Sequence, residues 1–207
     1  MNKLKITKTV YIIEWILLAV LAVLSIIKII DNNFLLQYQE YNKLFATWAA
    51  YIFLLTMLPG SFLRFGILKK TMAQLVFWRR ALGILMYILG FAHVVLIIDL
   101  IPFISQYGGI VSTLTISGGL SLLLLTPVVL TSTNRAQRWL KRNWKTIQRI
   151  AYLAIPTLAI HFLQTEKYLL TSLYGITALI IFSSYIYKKY HANKRSKTKT
   201  DQKTGIM

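Results

Sequence analysis

The stretch ALGILMYILGFAHVVLIIDLI, residues 81–101, holds no charge before Asp99 and shows no alternation of apolar and polar positions. As an α-helix it extends about 30 Å, the thickness of a hydrocarbon core. As a strand it would lack the period-2 pattern of a membrane barrel. It therefore reads as a membrane-spanning helix whose apolar run is broken by one imidazole, His93. An ionisable side chain at membrane depth is costly, so His93 is a candidate functional residue from the outset.

Working outward, segments of the same character lie at 10–30, 45–65, 110–131, 147–163 and 168–187. The fifth of the resulting six spans is the shortest and contains Pro156, which a membrane helix accepts when neighbours satisfy the freed carbonyl. With 56% hydrophobic residues in a chain of 207, the expected fold class is an all-α integral membrane protein. Residues 1–187 are read as a six-transmembrane-helix bundle. Residues 188–207 are read as a basic tail, without apolar periodicity and expected to be disordered. The opening segment superficially resembles a signal peptide. Its apolar run is too long and is interrupted by Glu14, and no small-residue cleavage pattern follows, so it is read as a retained helix.

The chain carries 24 Lys and Arg against 6 Asp and Glu, a net charge of +18. These charges cluster in alternate loops rather than along amphipathic surfaces, which points to a lipid bilayer and away from nucleic acid. The N-terminus holds Lys3, Lys5 and Lys8; the second loop holds Lys69, Lys70, Arg79 and Arg80; the fourth holds Arg135, Arg138, Lys141, Arg142 and Lys145. The other loops are neutral or slightly acidic, with Asp31, Glu40 and Lys43 in the first, Asp99 in the third, and Glu166 beside Lys167 in the fifth. The positive-inside rule then sets both termini in the cytoplasm (N-in/C-in). Cysteine is absent, which excludes disulfides, iron–sulfur clusters and thiolate-ligated metals within this chain.

Of three histidines, His191 sits in the basic tail, while His93 and His161 lie inside apolar runs. Both of their helices enter from the cytoplasmic side. His93 falls about thirteen residues after Arg80 and His161 about fourteen after Ile147, or roughly 20 Å deep in each case. Alone, each reads equally as a hydrogen-bonding residue between helices. Together, at one depth on parallel helices, they favour axial ligation of a flat cofactor such as haem b. Gly83, Gly90, Gly118 and Gly119 would leave room for a ring, or simply let helices approach.

The run WRRALGILMYILGFAH (78–93) resembles the third helix of the ferric reductase-like transmembrane domain family. TPVVLTSTNRAQRWLKRNWKTIQRIAYLAIPTLAIH (126–161) is similar to that family's fourth-to-fifth helix region, with LTS at 130–132, Trp144, Arg149, Tyr152 and His161 in the family's order. LPGSFLR (58–64) is a fainter match to the second helix, and the resemblance covers roughly residues 45–187. It implies His93 and His161 as axial ligands of haem iron near the outer face. It also implies a membrane electron-transfer subunit in a bacterial cytoplasmic membrane, in the branch that serves methionine-sulfoxide reductase systems. One departure narrows this: where the family usually has a further histidine, this chain has Gln148, so one haem is expected rather than two. No G-x-G-x-x-G or comparable phosphate loop occurs. A self-contained oxidase is thus not expected, and electrons would come from quinol or from a flavin reductase partner. The acceptor would be a periplasmic or extracellular reductase partner, as in methionine-sulfoxide repair, or a ferric chelate, as the wider family implies. The competing reading, favoured by Gln148, is a haem-free transporter or scaffold that keeps the fold.

Overall fold

The computed structural model describes residues 42–97 and 109–204, with scattered helical positions between 12 and 23; side chains are described for 42–97 and 113–192 of the main body. The elements are α1 (Asn42–Phe65), α2 (Lys69–Ile97), α3 (Gly109–Leu130), α4 (Asn134–Leu140), α5 (Arg142–Arg149), a 3-10 turn (Ile150–Leu153), α6 (Ala154–Gln164) and α7 (Tyr168–Thr204). Five stretches are long and apolar enough to cross a membrane: Asn42–Phe65, Lys69–Ile97, Thr113–Leu130, Arg142–Gln164 and Tyr168–Ala192. No strand occurs among the described residues. The expected first span, with Glu14, and the loop residues Asp31, Glu40 and Asp99 lie outside the described residues.

Three boundaries differ from those expected. The helix read as 81–101 begins at Lys69, because KKTMAQLVFWRR contains no breaker and every residue in it can continue a helix out of the bilayer. The span read as 147–163 begins at Arg142 and changes pitch on the way, tightening to a 3-10 turn at Ile150–Leu153 before α6. Pro156 explains the change: its ring has no N–H to give the Tyr152 carbonyl and would collide with it, and the tighter turn places Pro156 in the first turn of α6, where no such bond is needed. The tail expected to be disordered continues α7 as helix to Thr204. Its Lys, Arg and Ala residues propagate a helix already nucleated in the bundle, and no Gly or Pro intervenes before Gly205.

The helices close into a ring. α1 packs on α2 and α7, α6 on α7 and α3, and α3 returns to α2. Two turns hold it in register, both by the same device. Gly66, at φ 78°, ends α1, with the Ile67 amide donating to the Phe62 carbonyl at 3.0 Å. Glu166, at φ 58°, ends α6, with the Lys167 amide donating to the Phe162 carbonyl at 3.0 Å. These are left-handed caps that satisfy the last carbonyls of a helix. They reverse the chain within about three residues, so sequential helices are antiparallel neighbours.

The core is small and aromatic. Phe53 stacks on Tyr174 at 6.0 Å between centroids, and Phe162 meets the same ring edge-on at 5.1 Å. Tyr174 is fully buried, and its hydroxyl donates to the Ala50 carbonyl at 3.0 Å, tying α7 to α1. Large apolar side chains such as Ile116, Leu123, Leu179 and Phe182 point outward instead, each about two thirds exposed. Lipid, rather than protein, is their solvent. Short polar bonds join the remaining helices: Tyr87 to Thr126 at 2.9 Å (α2 to α3) and Ser121 to Thr157 at 2.8 Å (α3 to α6). Such bonds across small-residue interfaces contribute about 0.6 kcal/mol on average.

Tyr174→Phe removes one interhelical bond and no volume, so it should cost about 1 kcal/mol in a reversible unfolding assay in detergent. Tyr174→Ala also opens a cavity beneath both Phe rings and should cost about 3–5 kcal/mol. Equal losses for the two variants would show that the ring's packing is not what holds α7.

Candidate functional site

The ring of helices encloses a cavity of about 230 Å³. His93 from α2 and His161 from α6 both line it, each about one turn before the end of its helix. Its other walls are small or apolar: Ala46, Ala49 and Ala50 of α1, Gly90 of α2, and Gly118 and Gly119 of α3. Phe53, Phe162 and Tyr174 also line it. Of the four glycines noted in the sequence, Gly83 lies elsewhere, with nothing within 4 Å of where a Cβ would sit. Gly118 is the one that the site requires. A Cβ there would stand 3.0 Å from both Nδ1 and Cε1 of His161, so the imidazole lies flat against a position only glycine leaves open.

Both rings are oriented by the same rule. The Nδ1 of His161 is bonded to the Leu114 carbonyl at 3.2 Å, and the Nδ1 of His93 to Oδ1 of Asn42. A carbonyl oxygen only accepts, so in each ring Nδ1 carries the hydrogen. The neutral tautomer then leaves Nε2 with its lone pair free. This arrangement is the one that prepares an imidazole to ligate a metal, because the bond behind the ring fixes both tautomer and direction. Asn42 and Leu114 were invisible as site residues in the sequence. Asn42 is a helix-terminal residue that any cap could use, and a backbone carbonyl leaves no sequence signal at all.

Charge enters at one end. Lys167, in the turn between α6 and α7, donates to Thr47 Oγ1 at 3.4 Å. Its burial and the like charge of Lys43 hold its ammonium below the ordinary lysine range. His191 is exposed on α7, against the ring of Tyr187 at 4.3 Å, away from the cavity. Among the described residues, no three or more His, Cys, Asp or Glu side chains gather as metal ligands. Of those four residue types, His93 and His161 are the ones in the cavity lining, so two imidazoles are what it offers a metal from them.

Gln148 sits elsewhere and does a structural job. Its amide donates to the Val128 carbonyl at 3.0 Å and to Thr131 Oγ1 at 3.3 Å, while Trp144 Nε1 donates to the Thr131 carbonyl at 2.9 Å. Together they satisfy the carbonyls at the end of α3, where Pro127 disturbs the ladder. The position where the family pattern has a histidine is here a clamp between α5 and α3.

Comparison with known proteins agrees with this architecture. The family model described as "Ferric reductase like transmembrane component" matches residues 45–159, more than half of the chain. The chain is 32% identical over 144 residues to the protein-methionine-sulfoxide reductase heme-binding subunit MsrQ of Brucella ovis, and equally to that of Brucella canis; the match covers 62% of this chain and 58% of each relative. The corresponding protein of Brucella melitensis is 31% identical over the same length. The chain thus spans a little over half the length of the curated relatives that it matches. No solved structure matches it. With its apolar spans and this match, the chain is a multi-pass membrane protein and belongs to the ferric reductase-like transmembrane family.

Proposed function

We propose that this protein is a haem b-binding electron-transfer subunit, with His93 and His161 as the axial ligands of a single haem. The observation that carries the reading is the pair of Nδ1 bonds, which leave two neutral imidazoles with free Nε2 atoms on one apolar cavity. Two imidazoles are the full protein share of ligands for a metal whose other four positions are filled by a macrocycle. The similar proteins from Brucella are named as heme-binding subunits, which supports the same reading.

Bound there, haem would supply one-electron carriage through a region that excludes water. The protein's own part is to hold and tune it. Asn42 and Leu114 keep each Nδ1 hydrogen in place, and Gly118 keeps space for the His161 ring. Lys167 provides a positive charge suited to carboxylate groups at the end of the cavity where both histidines lie. The cavity of about 230 Å³ is below the roughly 300–1,000 Å³ of typical ligand pockets, so seating a large ring requires its walls to move apart. With N-in/C-in six-span topology, the site lies toward the outer face. Electrons then arrive from quinol or a flavin reductase partner and leave to an outer reductase.

Purified protein from haem-replete cells should show a sharp b-type spectrum on dithionite reduction, and His93→Ala and His161→Ala should each abolish it. A colourless but well-folded wild type would leave a haem-free scaffold as the better description. Asn42→Leu should keep the spectrum but weaken haem retention by about 10–100-fold, as loss of an outer-shell partner does elsewhere. Gly118→Ala should displace the His161 ring and lower haem occupancy, whereas Gly83→Ala should leave it unchanged; equal effects would remove Gly118 from the site. Gln148→His should leave the haem-to-chain ratio near one, since no second imidazole on α2 stands at that level. A ratio near two would show that an inner site persists.

A further inference from the structure

At the opposite end of the bundle from the histidines, two arginines converge. Arg64 is the penultimate residue of α1, and Arg79 lies on α2 across the Gly66 turn; both are partly buried. The Arg64 Nη1 donates to Ser184 Oγ at 2.8 Å, and its guanidinium carbon sits 4.0 Å from the centre of the Tyr185 ring. The Arg79 Nη2 meets the thioether of Met57 at 3.9 Å, a weak acceptor. Tyr152, in the 3-10 turn, stands beside both guanidiniums and Tyr185. Four elements thus meet around two positive charges.

Among the described side chains, no carboxylate accompanies them. Among the described side chains, the single carboxylate is Glu166, which sits in the turn beside the histidine end. Two like charges beside one phenol repel each other, more strongly in a partly desolvated setting than in water. Their planar donor forks are far from used up by a serine hydroxyl, a thioether and a shared phenol. An anion with several oxygens would relieve both defects, because a guanidinium fork matches phosphate oxygens in pairs.

We propose that Arg64 and Arg79, with Tyr152 and Tyr185, form a phosphate-binding site that takes the headgroup of an anionic phospholipid. The surroundings favour lipid over a soluble anion. Leu68, Phe77, Tyr185 and Ile186 form an exposed apolar rim beside the cluster, each between 44% and 65% exposed, where acyl chains would lie. Basic pockets between helices at a membrane surface hold anionic headgroups in this way. The site neither lines the histidine cavity nor depends on a haem there.

The test uses the full chain purified in detergent, titrated with phosphatidylglycerol, with phosphatidylcholine and with inorganic phosphate. Native mass spectrometry reads retained lipid, and thermal unfolding reads stabilisation. Wild type should retain phosphatidylglycerol in preference to phosphatidylcholine, and the double variant Arg64→Gln/Arg79→Gln should lose that preference by about tenfold or more. The double variant Arg135→Gln/Arg138→Gln, which removes the same charge from exposed positions on α4, should keep it. If the glutamine variant fails to run as a monodisperse species, Arg64→Lys/Arg79→Lys decides. It keeps the charge without the forks and should show an intermediate loss. Equal retention of the two lipids by wild type, or full retention by the Arg64/Arg79 variants, overturns the proposal. Stabilisation by inorganic phosphate equal to that by phosphatidylglycerol would keep the phosphate chemistry and overturn the lipid source.

Discussion

A polar hydrogen inside an apolar bundle must find an acceptor within the protein, and the bond from His161 Nδ1 to the Leu114 carbonyl is where this constraint shapes the molecule most. It ties α6 to α3 near the end that carries both histidines. The bond from His93 to Asn42 does the same for α2 and α1. Each bond settles the tautomer of a ring, and each aims the opposite nitrogen away from its anchoring helix. Orientation of the imidazoles and closure of the helix ring are therefore one event. Neither could be changed without the other, since the anchoring acceptors belong to neighbouring helices.

The space between the rings exists for a related reason. Helices of a membrane bundle approach closely only where small residues face each other. Ala49 and Ala50 of α1 and Gly118 and Gly119 of α3 line the cavity, while the aromatic cluster of Phe53, Phe162 and Tyr174 packs the adjoining core. The small side chains on these two helices leave the middle of the ring open. Gly118 shows the balance at one atom, where a single methyl would meet the His161 ring.

The two ends of the bundle differ in chemistry. At one, imidazoles are oriented by hydrogen bonds to carbonyl oxygens, with Lys167 nearby. At the other, Arg64 and Arg79 meet a serine hydroxyl and a thioether, and Gln148 and Trp144 hold the end of α3. Gln148 fits this division. An amide can donate to two acceptors at a disturbed helix end without bringing a titratable group into the bundle.

Much of this was legible in the residues alone. Membrane helices follow from apolar runs because hydrocarbon forces every backbone group into internal bonds, so the spans containing Phe53, His93, Ser121, His161 and Tyr174 could be read directly. Their boundaries could not. The outer turns of α2 and the extension of α7 are set by helix propagation beyond the bilayer, which leaves no hydropathy signal. The sequence also singled out His93 and His161, since an imidazole in an apolar run is conspicuous by cost. Only the tertiary structure decided that they share a cavity, and that Asn42 and a backbone carbonyl orient them. It likewise turned Arg64 and Arg79 from boundary charges into one cluster. Those relations hold between helices distant in the chain, and the pattern along a single helix carries no record of which neighbour it meets.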